Sequence, residues 1–150
     1  MPTDAMDYLQ SFLTLTVVGI ILTATFSMYV NSLTQGSEAN QLKEILNRVA
    51  AKVADALAML TEDNATLSVV FSLPLKIGNQ DYWIRIGNDS SDAWVEGAFG
   101  SVSRDGEQEC RVYLPKKVYA SGTFEGGYQL VLLNCTMNGL TPQITLGRKV

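Results

Sequence analysis

The sequence contains no histidine, only two cysteines and, over residues 8–37, no charged side chain. Without histidine, the chain lacks the commonest general base and the commonest metal ligand of proteins. Two cysteines cannot complete a cysteine-only zinc site. The net charge is −4, and there is no basic patch with interleaved aromatic residues of the kind that binds nucleic acid. We therefore expect no enzyme activity, no metal, no cofactor and no nucleic-acid partner.

The uncharged run is long enough to cross a bilayer. About 30 residues at roughly 1.5 Å per residue make a helix of about 45 Å, against a hydrocarbon core of roughly 30 Å. A cleaved secretory signal is disfavoured, because such signals begin with basic residues and have a shorter apolar run. Two interpretations remain. The run is either a permanent single-span anchor or a stalk that first lies in a membrane and later packs against copies of itself.

Residues 38–60 show the apolar spacing of an amphipathic helix that packs on the head. Its apolar positions are Leu42, Ile45, Leu46, Val49, Val53, Ala56, Leu57 and Leu60. Residues 35–37 are a candidate kink, after which Ser37 would cap this half and Glu38 would stabilise its start. The predicted domains are a helix over residues 1–61, hydrophobic to about residue 34, and a globular head over residues 62–150.

The head is predicted to be all β. Runs rich in β-branched and aromatic residues cover 67–73, 81–86, 93–99, 109–114, 128–135 and 143–146, with glycine- and asparagine-containing turn signals between them. Six or seven strands at this spacing indicate an antiparallel sandwich or a curled sheet wrapped on the helix. The predicted fold class is therefore α+β, with a long N-terminal hydrophobic helix followed by a small antiparallel, sandwich-like head.

The two cysteines, Cys110 and Cys135, fall in separate predicted strands. A cysteine pair in an extracellular domain is usually a disulfide, and we predict one here, with two buried free thiols as the alternative. A catalytic thiol is disfavoured, because no histidine is present to activate it.

Three Asn-X-Ser/Thr sequons begin at Asn64, Asn88 and Asn134, and each is a candidate for N-glycosylation. The first two fall in predicted turns, whereas Asn134 falls at the end of a predicted strand. Basic residues that follow the uncharged run would place the head in the cytoplasm by the positive-inside rule. The sequons and cysteines favour an extracellular head instead, and removal of a basic leader would reconcile the two.

Two acidic clusters in the head have simple interpretations. Asp89 and Asp92 flank two serines and, without a base partner, indicate a solvated turn. Asp105, Glu107 and Glu109 could bind a divalent cation loosely, but a hydrated surface loop is the favoured interpretation.

The layout resembles the type IV pilin superfamily, and archaeal type IV pilins and archaellins in particular. The residues that carry the resemblance are LTLTVVGIILTATFSMYVNSL (13–33), QLKEILNRVAAKVADAL (41–57) and LPLKIGNQDYWIRI (73–86). The resemblance implies a subunit that is inserted in the membrane, processed, and extruded as an extracellular helical filament. It also implies that the apolar helices form the filament core and the heads form its outer wall.

Adhesion or surface attachment is the expected role of such a filament. The partners would be other copies of the chain and, before assembly, the membrane. Residues expected in the packed core are Phe12, Leu13, Val17, Val18, Gly19, Ile20, Ile21, Leu22 and Phe26. Small residues (Gly19, Ala24 and Ser27) would allow close helix approach, while threonines (Thr14, Thr16, Thr23 and Thr25) would bond to their own helix. The alternatives are a non-polymerising, membrane-anchored binding domain and a subunit of an archaellum-type motility filament.

Overall fold

The computed structural model describes residues 2–60, 65–101, 110–115, 118–139 and 141–149. One helix, α1 (Pro2–Met59), precedes seven strands. These strands are β1 (Thr66–Ser72), β2 (Tyr82–Asn88), β3 (Ala93–Phe99), β4 (Cys110–Tyr113), β5 (Tyr119–Glu125), β6 (Leu130–Asn138) and β7 (Thr141–Arg148). The predicted α+β fold, a long N-terminal helix followed by a β head, is confirmed.

The chain divides into two compact units, Met1–Ser37 and Glu38–Val150. The second half of α1 belongs to the second unit because its apolar stripe is buried together with the strands. All eight apolar positions predicted for that stripe are buried, and Leu46 and Val53 are completely inaccessible to solvent. The predicted packing of the amphipathic half on the head is confirmed.

The predicted cap at Ser37 is wrong. The helix runs without interruption through residues 35–37, so Ser37 lies inside α1 and not at a helix start. A cap is needed only where the first backbone N–H groups of a helix lack carbonyl partners. Here the residues before Ser37 remain helical and provide those carbonyls. Glu38 is held by the head instead, as described below.

The strands form a single seven-stranded sheet in the order β1-β6-β7-β5-β2-β3-β4. Of the two arrangements considered above, the sheet packed on the helix is the one found. The helix and the sheet meet at Gly97 of β3, where a Cβ atom would lie 3.1 Å from Cδ2 of Leu46 and 2.6 Å from the carbonyl oxygen of Trp83 in the neighbouring strand β2. A side chain at position 97 would overlap the backbone of β2 and press against Leu46 of the helix, so this point of the sheet favours glycine.

One strand was not among the six predicted runs. β5 reads YASGTFE and contains alanine, serine and glycine, which weaken the strand signal. It also forms the only parallel pairing among the described strands, which is its pairing with β7. Gly122 has a φ of 123°, and a Cβ there would overlap the backbone of Leu146. The residue that obscures the strand in the sequence is thus the one that allows the two strands to pair.

Candidate assembly surface

Residues 8–37, here called the apolar segment, expose their hydrophobic side chains. The nine residues predicted for a packed filament core are all exposed, for example Phe12 at 70% and Phe26 at 68%. The helix that holds them is long and apolar enough to cross a membrane, and none of its most apolar window is buried within the chain. Exposure of this size marks a surface that something else covers.

The apolar surface surrounds the helix. Six consecutive residues, 17–22, are Val, Val, Gly, Ile, Ile and Leu, and all are exposed. At about 3.6 residues per turn, six consecutive positions cover the whole circumference of a helix. A single partner helix would leave part of this surface in water, so several helices or lipid are required to cover it.

Threonine hydroxyls in the apolar segment are satisfied within the helix. The Oγ1 atoms of Thr14, Thr16, Thr23 and Thr25 each donate to the carbonyl oxygen four residues earlier, at 2.8 Å. Thr34 does the same at 3.0 Å. The predicted bonding is confirmed for all four threonines named above. Because these hydroxyls are already bonded, the five threonines can enter an apolar environment without adding an unpaired donor.

One side of the apolar segment carries small residues. A shallow groove is lined by Thr16, Gly19, Ile20, Thr23, Ala24 and Ser27. A Cβ atom at Gly19 would meet no described atom within 4 Å. This groove has room for a side chain of another helix, which is the geometry that small residues provide in packed membrane helices.

Glu38 joins the helix to the first loop of the head. Its side chain is buried, and its Oε2 accepts a hydrogen bond of 2.9 Å from Nε2 of Gln80. Gln80 lies in a tight turn closed by reciprocal backbone hydrogen bonds with Ile77, and Gly78 in this turn has a φ of 60°. A Cβ at Gly78 would overlap the Glu38 carboxylate. The carboxylate therefore fits against a turn whose shape depends on glycine.

A second buried carboxylate, that of Glu96 in β3, is paired with two arginine side chains. Arg85 of β2 and Arg111 of β4 are its cross-strand neighbours. Arg85 Nε donates to Oε1 at 2.6 Å, while Arg111 and the Trp94 indole N–H each donate to Oε2 at 2.9 Å. The Arg111 guanidinium also lies 4.2 Å from the centre of the Trp94 ring. These four residues, the Glu96 network, join three adjacent strands.

The charge of Glu96 is stabilised by its partners. Burial alone would raise the pKa of this carboxyl, but the hydrogen bonds from Arg85, Arg111 and Trp94 outweigh burial and hold the pKa below its ordinary value. This network was not among the features predicted from the sequence. The sequence does place oppositely charged residues in three predicted strands. Their pairing could be predicted only with knowledge of the strand register.

Cys110 and Cys135 are free thiols, so the predicted disulfide is not present. Cys110 lies in edge strand β4 and Cys135 in β6, and four strands separate them in the sheet. A disulfide requires Cα atoms within about 7 Å, whereas five strand-to-strand steps of about 4.8 Å each separate β4 from β6 along the sheet. Burial raises the pKa of the Cys135 thiol to about 11, which keeps it protonated and unreactive.

The glycosylation candidates differ in their surroundings. Asn88 is the last residue of β2, and Asn134 lies within β6. Each is half-buried. Asn88 thus ends a strand where a turn was predicted, and the turn follows at residues 89–92. Asn64 lies outside the described residues.

The acidic clusters provide no metal site in the described part of the chain. Asp89 accepts hydrogen bonds from the backbone N–H groups of Asp92 and Ser91, which lower the pKa of its carboxyl. This is the solvated turn expected there. Across the described ranges, no three histidine, cysteine or acidic side chains come together as metal ligands. Asp105, Glu107 and Glu109 lie outside the described residues.

Comparison with known proteins gives one family. No curated protein and no solved structure matches the chain significantly. A family model described as a family of unknown function, DUF7266, matches residues 8–146 and thus includes the apolar segment and all seven strands except the last two residues of β7. The chain therefore belongs to the DUF7266 family.

Proposed function

We propose that this protein is the structural subunit of an extracellular helical filament of the type IV pilus kind, assembled through its apolar segment. The observation that carries the proposal is the uncharged helix whose apolar side chains are exposed on every side. In a filament core each helix is surrounded by copies of itself, and such an environment covers the entire circumference. The role is structural and not catalytic, and the partner is the chain itself.

The free energy of burying apolar side chains favours packing of this segment against other helices. Full burial of a Leu, Ile, Val, Phe or Met side chain contributes about 1.5–3 kcal/mol. With nine predicted core positions exposed in the single chain, association would recover a large free energy for each subunit. The self-bonded threonines lower the polar cost of burial, and the groove at Gly19 lets a neighbour approach.

The same segment is compatible with a membrane-inserted form, which is the state proposed before assembly. A lipid bilayer covers an apolar helix on all sides just as neighbouring helices do. Filament and membrane are successive environments in this proposal. A chain that stays in the membrane throughout would be an anchored binding domain, and this is the outcome that the experiment must separate.

Electron microscopy of extracellular material from the producing cells tests the proposal. We expect filaments, and mass spectrometry of the purified filaments should identify this chain as their main subunit. Recovery of the chain only from membranes, with no filaments that contain it, would contradict the proposal and favour the anchored binding domain. Deletion of the gene should reduce surface attachment, whereas loss of swimming alone would indicate a motility filament.

A further inference from the structure

The outward side of strands β1, β6, β7 and β5, here called the outer face, carries two uncharged polar rows. Along β5, β6 and β7, buried residues alternate with more exposed ones, and along β1 half-buried apolar residues alternate with exposed positions. Cross-strand pairing aligns Ser68, Asn134, Thr145 and Ser121 in one row. The next row consists of Thr66, Thr136, Gln143 and Tyr119. Every side chain in the two rows is a hydroxyl or an amide, and none is charged.

Asn134 and Thr136 are two residues apart on one strand and therefore project from the same side of the sheet. They are the first and last residues of a sequon, Asn134-Cys135-Thr136. The middle residue, Cys135, faces the buried side. Both sequon side chains that a glycosyl transferase must recognise are thus on the outer face, and neither is fully buried.

The amide of Asn134 is oriented by one neighbour. Ser68 Oγ donates a hydrogen bond of 2.8 Å to its Oδ1. Its Nδ2, the atom that receives a glycan, has no hydrogen-bond partner within the described ranges. The side chains beside it in the row, Ser68 and Thr145, are small. A sugar attached at Nδ2 would replace no hydrogen bond that the structure describes.

Asn88 is different, because both ends of its amide are in use. Its Oδ1 accepts the backbone N–H of Ala120 at 2.9 Å, and its Nδ2 donates to the carbonyl of Asp89 at 3.3 Å. The first of these bonds connects the end of β2 to β5. Asn88 is therefore a structural residue that helps to position a strand.

We propose that Asn134 is an N-glycosylation site and that its glycan lies over the hydroxyl and amide rows of the outer face. In the transfer, Nδ2 of Asn134 forms a bond to the anomeric carbon of a lipid-phosphate-linked oligosaccharide. The bond from that carbon to the phosphate oxygen breaks, the lipid phosphate leaves, and Nδ2 loses one proton. Hydroxyl and amide side chains hydrogen-bond sugar hydroxyls, and the exposed Tyr119 ring offers a stacking surface at the end of the second row. The inference rests on the proposed export of the head but not on its assembly.

Two substitutions of one residue provide the test in the producing cells. Thr136→Val removes the hydroxyl from the sequon and keeps the size and β-branching that suit a strand, whereas Thr136→Ser keeps the hydroxyl. We expect glycopeptide mass spectrometry of the native protein to show a glycan on Asn134. Intact-mass measurement should show that Thr136→Val loses the mass of one glycan and that Thr136→Ser retains it.

The outcomes separate this inference from the proposed function. An unmodified Asn134 in chain recovered from filaments would overturn the inference and leave the filament proposal standing. A glycan on Asn134 in chain that never leaves the membrane would support the inference and contradict the filament proposal. A glycan whose mass persists in Thr136→Val would place it at another residue and also overturn the inference.

Discussion

Gln80 donates a hydrogen bond of 2.9 Å to the carboxylate of Glu38, a residue 42 positions earlier in the chain. This bond fixes the first turn of the head against the helix. It forms at the first residue of the second compact unit, where the exposed half of α1 ends and the packed half begins. The stability of that position depends on the Gly78 turn beneath it.

Gly78→Ala is expected to destabilise the head more than Gly139→Ala. The two glycines have nearly the same left-handed φ, 60° and 62°, but only a Cβ at Gly78 would overlap Glu38, while Gly139 faces open space. Strain at φ alone costs about 1 kcal/mol at each site. Displacement of Glu38 from its hydrogen bond should add about 1–2 kcal/mol at Gly78.

Denaturant unfolding of the full chain in detergent measures both variants. The combination of Gly78→Ala with Glu38→Ala should be less destabilising than the sum of the two single changes, because the second change removes the overlap. If both substitutions lowered the unfolding free energy equally, the position of the Glu38 side chain would not depend on the absence of a Cβ at Gly78.

Leu46→Ala should cost about 2–5 kcal/mol of unfolding free energy, because this side chain is completely buried between the helix and the sheet. Met59→Ala at the exposed end of the same helix is the control, and we expect a change within about 0.5 kcal/mol. Chemical denaturation followed by tryptophan fluorescence measures both. A small effect of Leu46→Ala would mean that the helix does not contribute to the core of the head.

Glu96→Gln should destabilise the head by about 3 kcal/mol, since it removes a buried charge and leaves Arg85 and Arg111 without their partner. The carboxyl pKa is lower in the folded protein than in the unfolded chain. The contribution of Glu96 is therefore complete above the ordinary carboxyl pKa and is lost as the pH falls through the folded value.

Unfolding free energies measured from pH 7 downward test this sign. The wild-type protein should lose stability below about pH 4.3, the ordinary carboxyl range, and Glu96→Gln should lose less over the same interval. A variant with the same acid dependence as the wild type would show that other carboxyls account for it.

Val18→Asp should abolish filament assembly, because an unpaired charge in an apolar core costs several kcal/mol. Val18→Thr is the matched control. It has the same shape and no charge, and its hydroxyl can bond back to the helix as the neighbouring threonines do. Filament yield after shearing and sedimentation measures the effect. Normal yield from Val18→Asp would place position 18 outside the filament core.

Alkylation of the native protein should leave Cys135 unmodified and, after denaturation, should modify both cysteines. Burial and a thiol pKa of about 11 protect Cys135 in the folded state. Intact mass should be the same with and without reductant. A gain in mass of two hydrogen atoms on reduction would instead show that Cys110 and Cys135 had been joined by a disulfide.

The elements with a strong local signal could be predicted from the sequence. The stripe from Leu42 to Leu60 has a helical period that can be satisfied only by burial on one side, and the structure buries it. The missing information was non-local. No local pattern shows that β4 and β6 lie far apart in the strand order. For that reason the predicted disulfide between the two cysteines is wrong. The Glu96 network could not be predicted either, because charge pairing across strands depends on the strand register.

The central position of β7 has a consequence for the order of events during synthesis. This strand follows all six others in the chain, yet it lies inside the sheet, between β6 and β5. Until it emerges from the ribosome, β5 lacks its parallel neighbour and the two halves of the sheet are not joined. The apolar segment, by contrast, emerges before any strand. The helix is therefore available to a membrane while the head is still unfolded, and the sheet cannot be completed until β7, the last strand, has emerged.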